Sequence, residues 1–157
     1  MADLEKLEAR HAPALLRFET ENREFFARWV PDRGDDYFAR FAVRHADLLA
    51  AQAEGLHRFH VLVDDDGSVL GRFNLLDIAD GCAELGYRVA ERATGRGVAK
   101  EGVRRVCVLA RTEYGLRRLI ATAAVGNKAS LAVLRSSGFV PVEEADGEIR
   151  HVRELTD

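Results

Sequence analysis

Two periodicities divide the chain. From Ala12 to Ala27, Leu15, Leu16, Phe18, Asn22, Phe25 and Phe26 gather towards one face at helical spacing, and Pro13 suits a first helical turn. Asp32-Arg33-Gly34-Asp35-Asp36 reads as a turn. A second helix follows over Tyr37 to Glu54, with Phe38, Phe41, Val43, Leu48 and Leu49 apolar and Gly55 as its stop. Before these helices, Leu4 to Arg10 predicts an edge strand. After them the period changes to two. Phe59, Val61 and Val63 alternate with His60, Leu62 and Asp64, a strand. Asp66-Gly67 turns it into a partner strand over Val69 to Ile78. Asp80-Gly81 leads to a third strand in which Leu85, Tyr87 and Val89 alternate with Gly86, Arg88 and Ala90.

The period then switches once more. Thr94-Gly95-Arg96-Gly97 breaks the strand pattern, and from Val98 the residues Val103, Val106, Cys107, Ala110 and Tyr114 recur at spacings of three and four. Arg117 to Val125 predicts a strand, Asn127 to Ser137 a short helix ending at Gly138, and Phe139 to Glu143 with Glu148 to Arg153 a last hairpin. The order β-α-α-β-β-β-α-β-α-β-β predicts one domain over residues 1–157. Its class is α+β, a layered arrangement of a mixed, mostly antiparallel sheet of about seven strands and about four helices.

A helix that starts in a glycine-rich turn presents free backbone N–H groups and the positive end of its dipole, which suits phosphate. Glycine keeps side chains out of the anion's way. The turn lacks the Gly-Lys-Ser/Thr of a P-loop. In the dinucleotide pattern G-x-G-x-x-G, Lys100 stands where the third glycine belongs.

Thr94-Gly95-Arg96-Gly97-Val98-Ala99 resembles the pyrophosphate-binding motif of the GNAT superfamily of N-acetyltransferases, Arg/Gln-x-x-Gly-x-Gly/Ala, with Thr94 departing from its first position. A literal match begins two residues earlier, at Arg92; the later register starts the helix at Val98. Tyr114 to Phe139 resembles the second half of one branch, the ribosomal-protein alanine and serine N-terminal acetyltransferases. Its hallmarks are Asn127 and Ser130 in Asn-x-x-Ser on a short helix, then Gly138-Phe139. The resemblance extends over about Leu56 to Val142. It implies the GNAT fold, in which the strand before the glycine turn and the strand Arg117–Val125 run parallel and splay apart. It implies acetyl-CoA as co-substrate and an amine acceptor, a peptide N-terminus or a small amine.

Direct acetyl transfer needs a base for the amine's proton, a donor for the thioester oxygen, and an acid for the departing thiolate, whose ordinary pKa is about 8.5. The resemblance assigns the phosphate cradle to the amides of Gly95, Arg96, Gly97, Val98 and Ala99, with Thr94 opening it and charge from Arg96 and Lys100. Tyr87 and Val89 offer strand backbone to the pantetheine arm, and Asn127 bonds the same arm. As an Asn it also suits a helix N-cap. Ser130 resembles the acid of the ribosomal-protein enzymes, and its alternative is a helix-surface serine. Asp77 and Glu84, near the ends of strands bordering the gap, are both candidate bases. Three readings compete: an N-terminal acetyltransferase, a small-amine acetyltransferase, and a CoA-binding domain without catalysis.

Composition narrows the classes. In 157 residues, 47% are hydrophobic and 31% charged, as in a folded globular chain. A formal net charge of −3 argues against nucleic acid as the main partner. With no long apolar run and no signal-peptide core, the expectation is a cytoplasmic protein without a membrane partner. Cys82 and Cys107 read as thiols, and the scattered histidines predict no metal site. The aromatic stretch Phe25 to Val30, the apolar last strands and the family resemblance together suggest a homodimer.

Overall fold

The computed structural model describes residues 2–155. Seven strands form one sheet in the order β1-β2-β3-β4-β5-β7-β6. They are β1 (Asp3–Lys6), β2 (Arg58–Val63), β3 (Val69–Ala79), β4 (Cys82–Val89), β5 (Arg118–Ala124), β6 (Val140–Ala145) and β7 (Glu148–Glu154). All neighbours pair antiparallel except β4 and β5, which run parallel. The mixed, mostly antiparallel α+β class read from the sequence is the one observed. β1 is an edge strand, but it stops at Lys6; a single 3₁₀ turn over Ala9–His11 follows it.

The two predicted N-terminal helices are each broken in two, so six helices stand where about four are expected. The first is α1 (Ala12–Glu21) and α2 (Arg23–Phe26), interrupted at Asn22. The cause is tertiary: the Asn22 amide donates to the Phe18 carbonyl at 2.8 Å, and its oxygen accepts from the Glu91 N–H at 2.9 Å. The second is α3 (Asp35–Ala39) and α4 (Phe41–Ala53), parted at Arg40. The remaining helices are α5 (Val98–Thr112) and α6 (Lys128–Ser136).

Helix α5 packs on one face of β3 and β4, where Val103, Val106, Phe73 and Leu75 are sealed from solvent. Gly102 makes this approach possible, because a Cβ there would overlap the Phe73 ring. Helix α1 packs on the opposite face of β3, burying Leu15 and Phe18. Each fully buried side chain of this size contributes about 1.5–3 kcal/mol. The sheet is therefore covered on both sides near β3 and β4, and the functional features gather where that cover ends.

Candidate functional site: a cleft where β4 and β5 part

β4 and β5 pair through Cys82–Arg118, Ala83–Leu119 and Glu84–Ile120, and the pairing stops there. Beyond it β4 continues through Leu85 to Val89 with β3 as its strand partner and its other edge facing a gap. A cavity of about 550 Å³ opens at this parting. Its lining includes Glu84, Gly86, Tyr87, Ala121, Thr122 and Ser130. Strand amides facing such a gap are available to an extended ligand, as at any unpaired sheet edge.

The glycine turn lies at the far end of β4. Gly97 caps α5 with φ +75°, and Gly95 has φ +74°, both left-handed conformations that suit glycine. A Cβ on either would meet no atom within 4 Å, so the outer side of the turn is open. The first amides of α5, from Val98, Ala99 and Lys100, have no intrahelical acceptor, and no side chain caps them among the described residues. Thr94, Gly95 and Arg96 are exposed; the Thr94 hydroxyl donates to the Glu91 carbonyl at 2.7 Å. Beside Gly97 a second cavity of about 390 Å³ is lined by Lys100, Arg104, Gly138 and Arg153, with Glu101 the acid among them. Open glycines, helix-start amides and nearby cations fit a phosphorylated ligand.

Inside the cleft, Tyr87 and Ser130 meet. Their hydroxyl oxygens lie 2.9 Å apart. Phe73 stacks on the Tyr87 ring at 6.0 Å between centroids. Burial pushes the Tyr87 hydroxyl's pKa up, and the bond to Ser130 only partly offsets that, so Tyr87 stays protonated through the neutral range. Asn127 caps α6 by accepting the Ser130 N–H at 3.2 Å. This bond holds the Ser130 backbone in the first turn of α6, and the Tyr87 contact engages its hydroxyl.

The two candidate bases are separated by the structure. Glu84 lines the cleft opposite Leu76, on the last rung before the strands part. Asp77 is exposed on an irregularity of β3 with φ +52°; its N–H donates to His57 Nδ1 at 3.0 Å, and it is not part of the cleft wall. Val89 is buried at the end of β4, opposite Gly71.

Sequence reasoning missed what lies under the other end of the cleft. Glu19 of α1 is 1% exposed and accepts from Arg72 at 2.8 Å, Arg33 at 2.9 Å and Arg88 at 3.2 Å. Burial raises its carboxyl pKa, but the Arg72 and Arg33 charges outweigh that and hold it below the usual range. A glutamate inside the apolar stripe of Leu15, Phe18 and Asn22 is the signal that could have found it. The described residues contain no group of three or more His, Cys, Asp or Glu placed to hold a metal. No helix among them is long and apolar enough to cross a membrane.

Comparison with known proteins meets this geometry. A family model described as an acetyltransferase (GNAT) domain matches residues 3–140. YdaF of Bacillus subtilis (strain 168), provisionally named a ribosomal N-acetyltransferase, is 30% identical over 145 residues, covering 85% of this chain and 75% of that protein. YjcK of the same strain, provisionally named an N-acetyltransferase, is 28% identical over 141 residues, covering 85% and 77%. Among solved structures, the ribosomal-protein-S5-alanine acetyltransferase of Vibrio fischeri matches with a TM-score of 0.92 at 21% identity, over 99% of this chain and 94% of that one. RimJ of Mycobacterium smegmatis, in complex with CoA-disulfide, matches with a TM-score of 0.85 at 24% identity, over 98% and 81%. At these identities the structural likeness speaks to the fold.

Proposed function

The chain belongs to the GNAT acetyltransferase family, and from that premise we propose that it acetylates the N-terminal amine of a protein or peptide. Enzymes of this family draw the acetyl group from acetyl-CoA. The observation that carries the reading is the hydroxyl pair Tyr87–Ser130 in the wall of the cleft where β4 leaves β5. The 30% identity to YdaF, with its ribosomal name, supports a protein acceptor.

In this reading the amides of Gly95 to Ala99 hold the pyrophosphate, and Arg96 and Lys100 add positive charge. Thr94 closes the turn's entry through its bond to Glu91. The β4 backbone at Tyr87 and Val89 binds the pantetheine arm, and Asn127, while capping α6, borders the same arm. The amine nitrogen attacks the thioester carbon; the N–C bond forms as the C–S bond breaks. The leaving sulfur takes a proton from Ser130, which Tyr87 replenishes; Tyr87 regains its proton from solvent, to which Glu84 returns the amine's proton, as the products leave. The ammonium proton goes to Glu84, directly or through a water. Asp77, outside the cleft wall, is the alternative base: only if Glu84 is not the acceptor would it take the proton, through water from the rim. No covalent enzyme intermediate is needed.

A homodimer belongs to the same proposal. Trp29 at 48%, Val140 at 60% and Val142 at 55% exposure are large apolar groups whose burial against a second copy would be favourable. Sedimentation at working concentration tests it, and a monomer alone rejects it. Acetylation is tested with acetyl-CoA, a panel of peptides with free N-termini, and a panel of small amines. Turnover of peptides over small amines supports the proposal. Turnover of small amines alone makes this a small-amine enzyme. Binding of acetyl-CoA with no turnover of any acceptor leaves a CoA-binding domain.

A further inference from the structure

The floor of the cleft is a double row of side chains on one face of β3 and β4. Arg72 stands opposite Arg88, Asn74 opposite Gly86, and Leu76 opposite Glu84. Like charges directly opposite each other on a sheet are unfavourable. Here Arg72 and Arg88 share the buried Glu19, with Arg33 from the loop after α2 as a third arginine on the same carboxylate. One carboxylate among three guanidinium groups leaves two positive charges uncompensated within the cluster. All three arginines line the cleft. On the same wall Arg44 is paired with Asp36 at 3.3 Å, and Asp47 stands near it. The cluster end of the cleft is therefore cationic, and the Glu84 end is anionic.

A salt bridge alone needs one arginine for one glutamate. Drawing two more towards it, Arg33 with 30% and Arg88 with 21% of the side chain still exposed, costs desolvation that their attraction to Glu19 only partly offsets. Burial in fact lowers the Arg88 pKa, as do the Arg33 and Arg72 charges, against the pull of Glu19. An anion arriving from the cleft would relieve that imbalance. Between the two ends, the Asn74 Oδ1 is buried and has no hydrogen-bond partner. It is an acceptor facing the middle of the floor, where a ligand backbone N–H would satisfy it.

We propose that the cleft selects an acceptor peptide carrying an acidic side chain close behind its N-terminal amine. The amine lies towards Glu84, a backbone N–H meets Asn74, and the carboxylate meets Arg72 and Arg88, with Arg33 behind them. Glu84 and Arg88 are four strand positions apart, about 13 Å at ~3.3 Å per residue. An extended peptide rises by the same amount per residue, so its fifth residue would stand level with Arg88, and the reach of the acidic and arginine side chains brings the acid within the first four positions. The selection rests on the N-terminal acetyltransferase reading of this cleft, but the charge argument applies to any amine that enters it. A polycationic acceptor is disfavoured.

The test uses the full chain and acetyl-CoA with three matched peptides differing at positions two to four: aspartate, alanine or lysine. Two small amines, an aminodicarboxylic acid and spermidine, are assayed beside them. The expected result is a kcat/KM at least ten times higher for the acidic peptide than for the alanine peptide, and lower again for the lysine peptide. Arg88→Gln, which removes the charge and leaves a shorter polar amide, should cut the acidic preference to below threefold, with the fold checked by circular dichroism. Asn74→Leu should weaken all peptides alike while leaving their ranking. Peptide turnover without regard to charge, or a preference for lysine, overturns the inference and leaves peptide acetylation standing. If no peptide is acetylated, the N-terminal reading falls, and the small amines decide the charge argument. There, preference for the dicarboxylic acid supports it and preference for spermidine overturns it.

Discussion

The hydroxyl of Tyr87 on β4 and the hydroxyl of Ser130 on α6 are 2.9 Å apart, although 43 residues separate them in the chain. The contact joins a strand that borders the gap to the helix that follows the other border. If Ser130 protonates the departing sulfur with Tyr87 behind it, Ser130→Ala should lower kcat by about 10²–10⁴-fold with little change in acetyl-CoA affinity. Tyr87→Phe should lower kcat by a smaller factor in the same direction. Single-turnover kinetics with calorimetric titration separate the two effects. A kcat loss below threefold for Ser130→Ala removes the pair from the mechanism.

The left-handed Gly97 at the start of α5 yields the second prediction. Gly97→Glu should weaken acetyl-CoA binding by more than tenfold relative to Gly97→Asn. Both variants strain the φ of +75°, which Asn tolerates better than most residues. Only the glutamate brings a negative charge to the helix start. Equal affinities in two folded variants would take the pyrophosphate away from this turn.

Glu84 and Asp77 can be told apart by pH. Glu84→Gln should abolish the acidic limb of the kcat/KM profile, because Glu84 lines the cleft. Asp77→Asn should retain that limb, since its backbone is tied to His57 outside the cleft wall. Loss of the limb in the Asp77 variant would reverse the assignment. Its persistence in both would leave a water chain as the acceptor of the proton.

His60 predicts a stability that depends on acid. Its Nδ1 lies 3.0 Å from the Phe73 carbonyl, so that nitrogen carries the proton, and Nε2 lies 2.6 Å from the Tyr114 hydroxyl. Burial, against the help of the Phe73 carbonyl, lowers the ring's pKa to about 4. Between the ordinary histidine value near 6.5 and that value, the unfolded chain binds a proton that the folded chain refuses. Stability is thus intact above about pH 6.5 and falls as the pH drops towards 4, by about 3 kcal/mol in all. Urea unfolding across this range should show a shallower slope for His60→Gln. An unchanged slope would mean that His60 takes up its proton in the folded state.

The strand–turn–helix of β4 and α5 was legible because its signals are local: alternation, two glycines, then a helical period. Asn127 and Ser130 were legible for the same reason, as three residues of spacing fix both a cap and the next turn. The breaks at Asn22 and Arg40 were not. Asn22 interrupts a helix for the sake of an amide at Glu91, 69 residues away. The arginine cluster was hidden in the same manner. Alternation puts Arg72 and Asn74 on the face opposite Phe73 and Leu75, but Glu19 joins Arg72 across 53 residues. Periodicity shows which face a residue takes, and only the fold shows what it faces. Glu84 and Asp77 looked equivalent in sequence because both end strands near the gap. The irregularity of β3 between Leu76 and Ala79 turns one of them away.

The parting of β4 from β5 has a mechanical side. Among the described residues, the sheet is two leaves, β1-β2-β3-β4 and β5-β7-β6, stitched by the three rungs from Cys82–Arg118 to Glu84–Ile120. Past the stitching, the facing edges have no bonds to each other to lose. A ligand seated there and bonded to both edges would complete a seam, tying the leaves along a length the chain itself leaves open. On the proposed reading, with the donor's arm along β4, the protein is most nearly one continuous sheet while that substrate is in place, and each release of product unpicks the seam again.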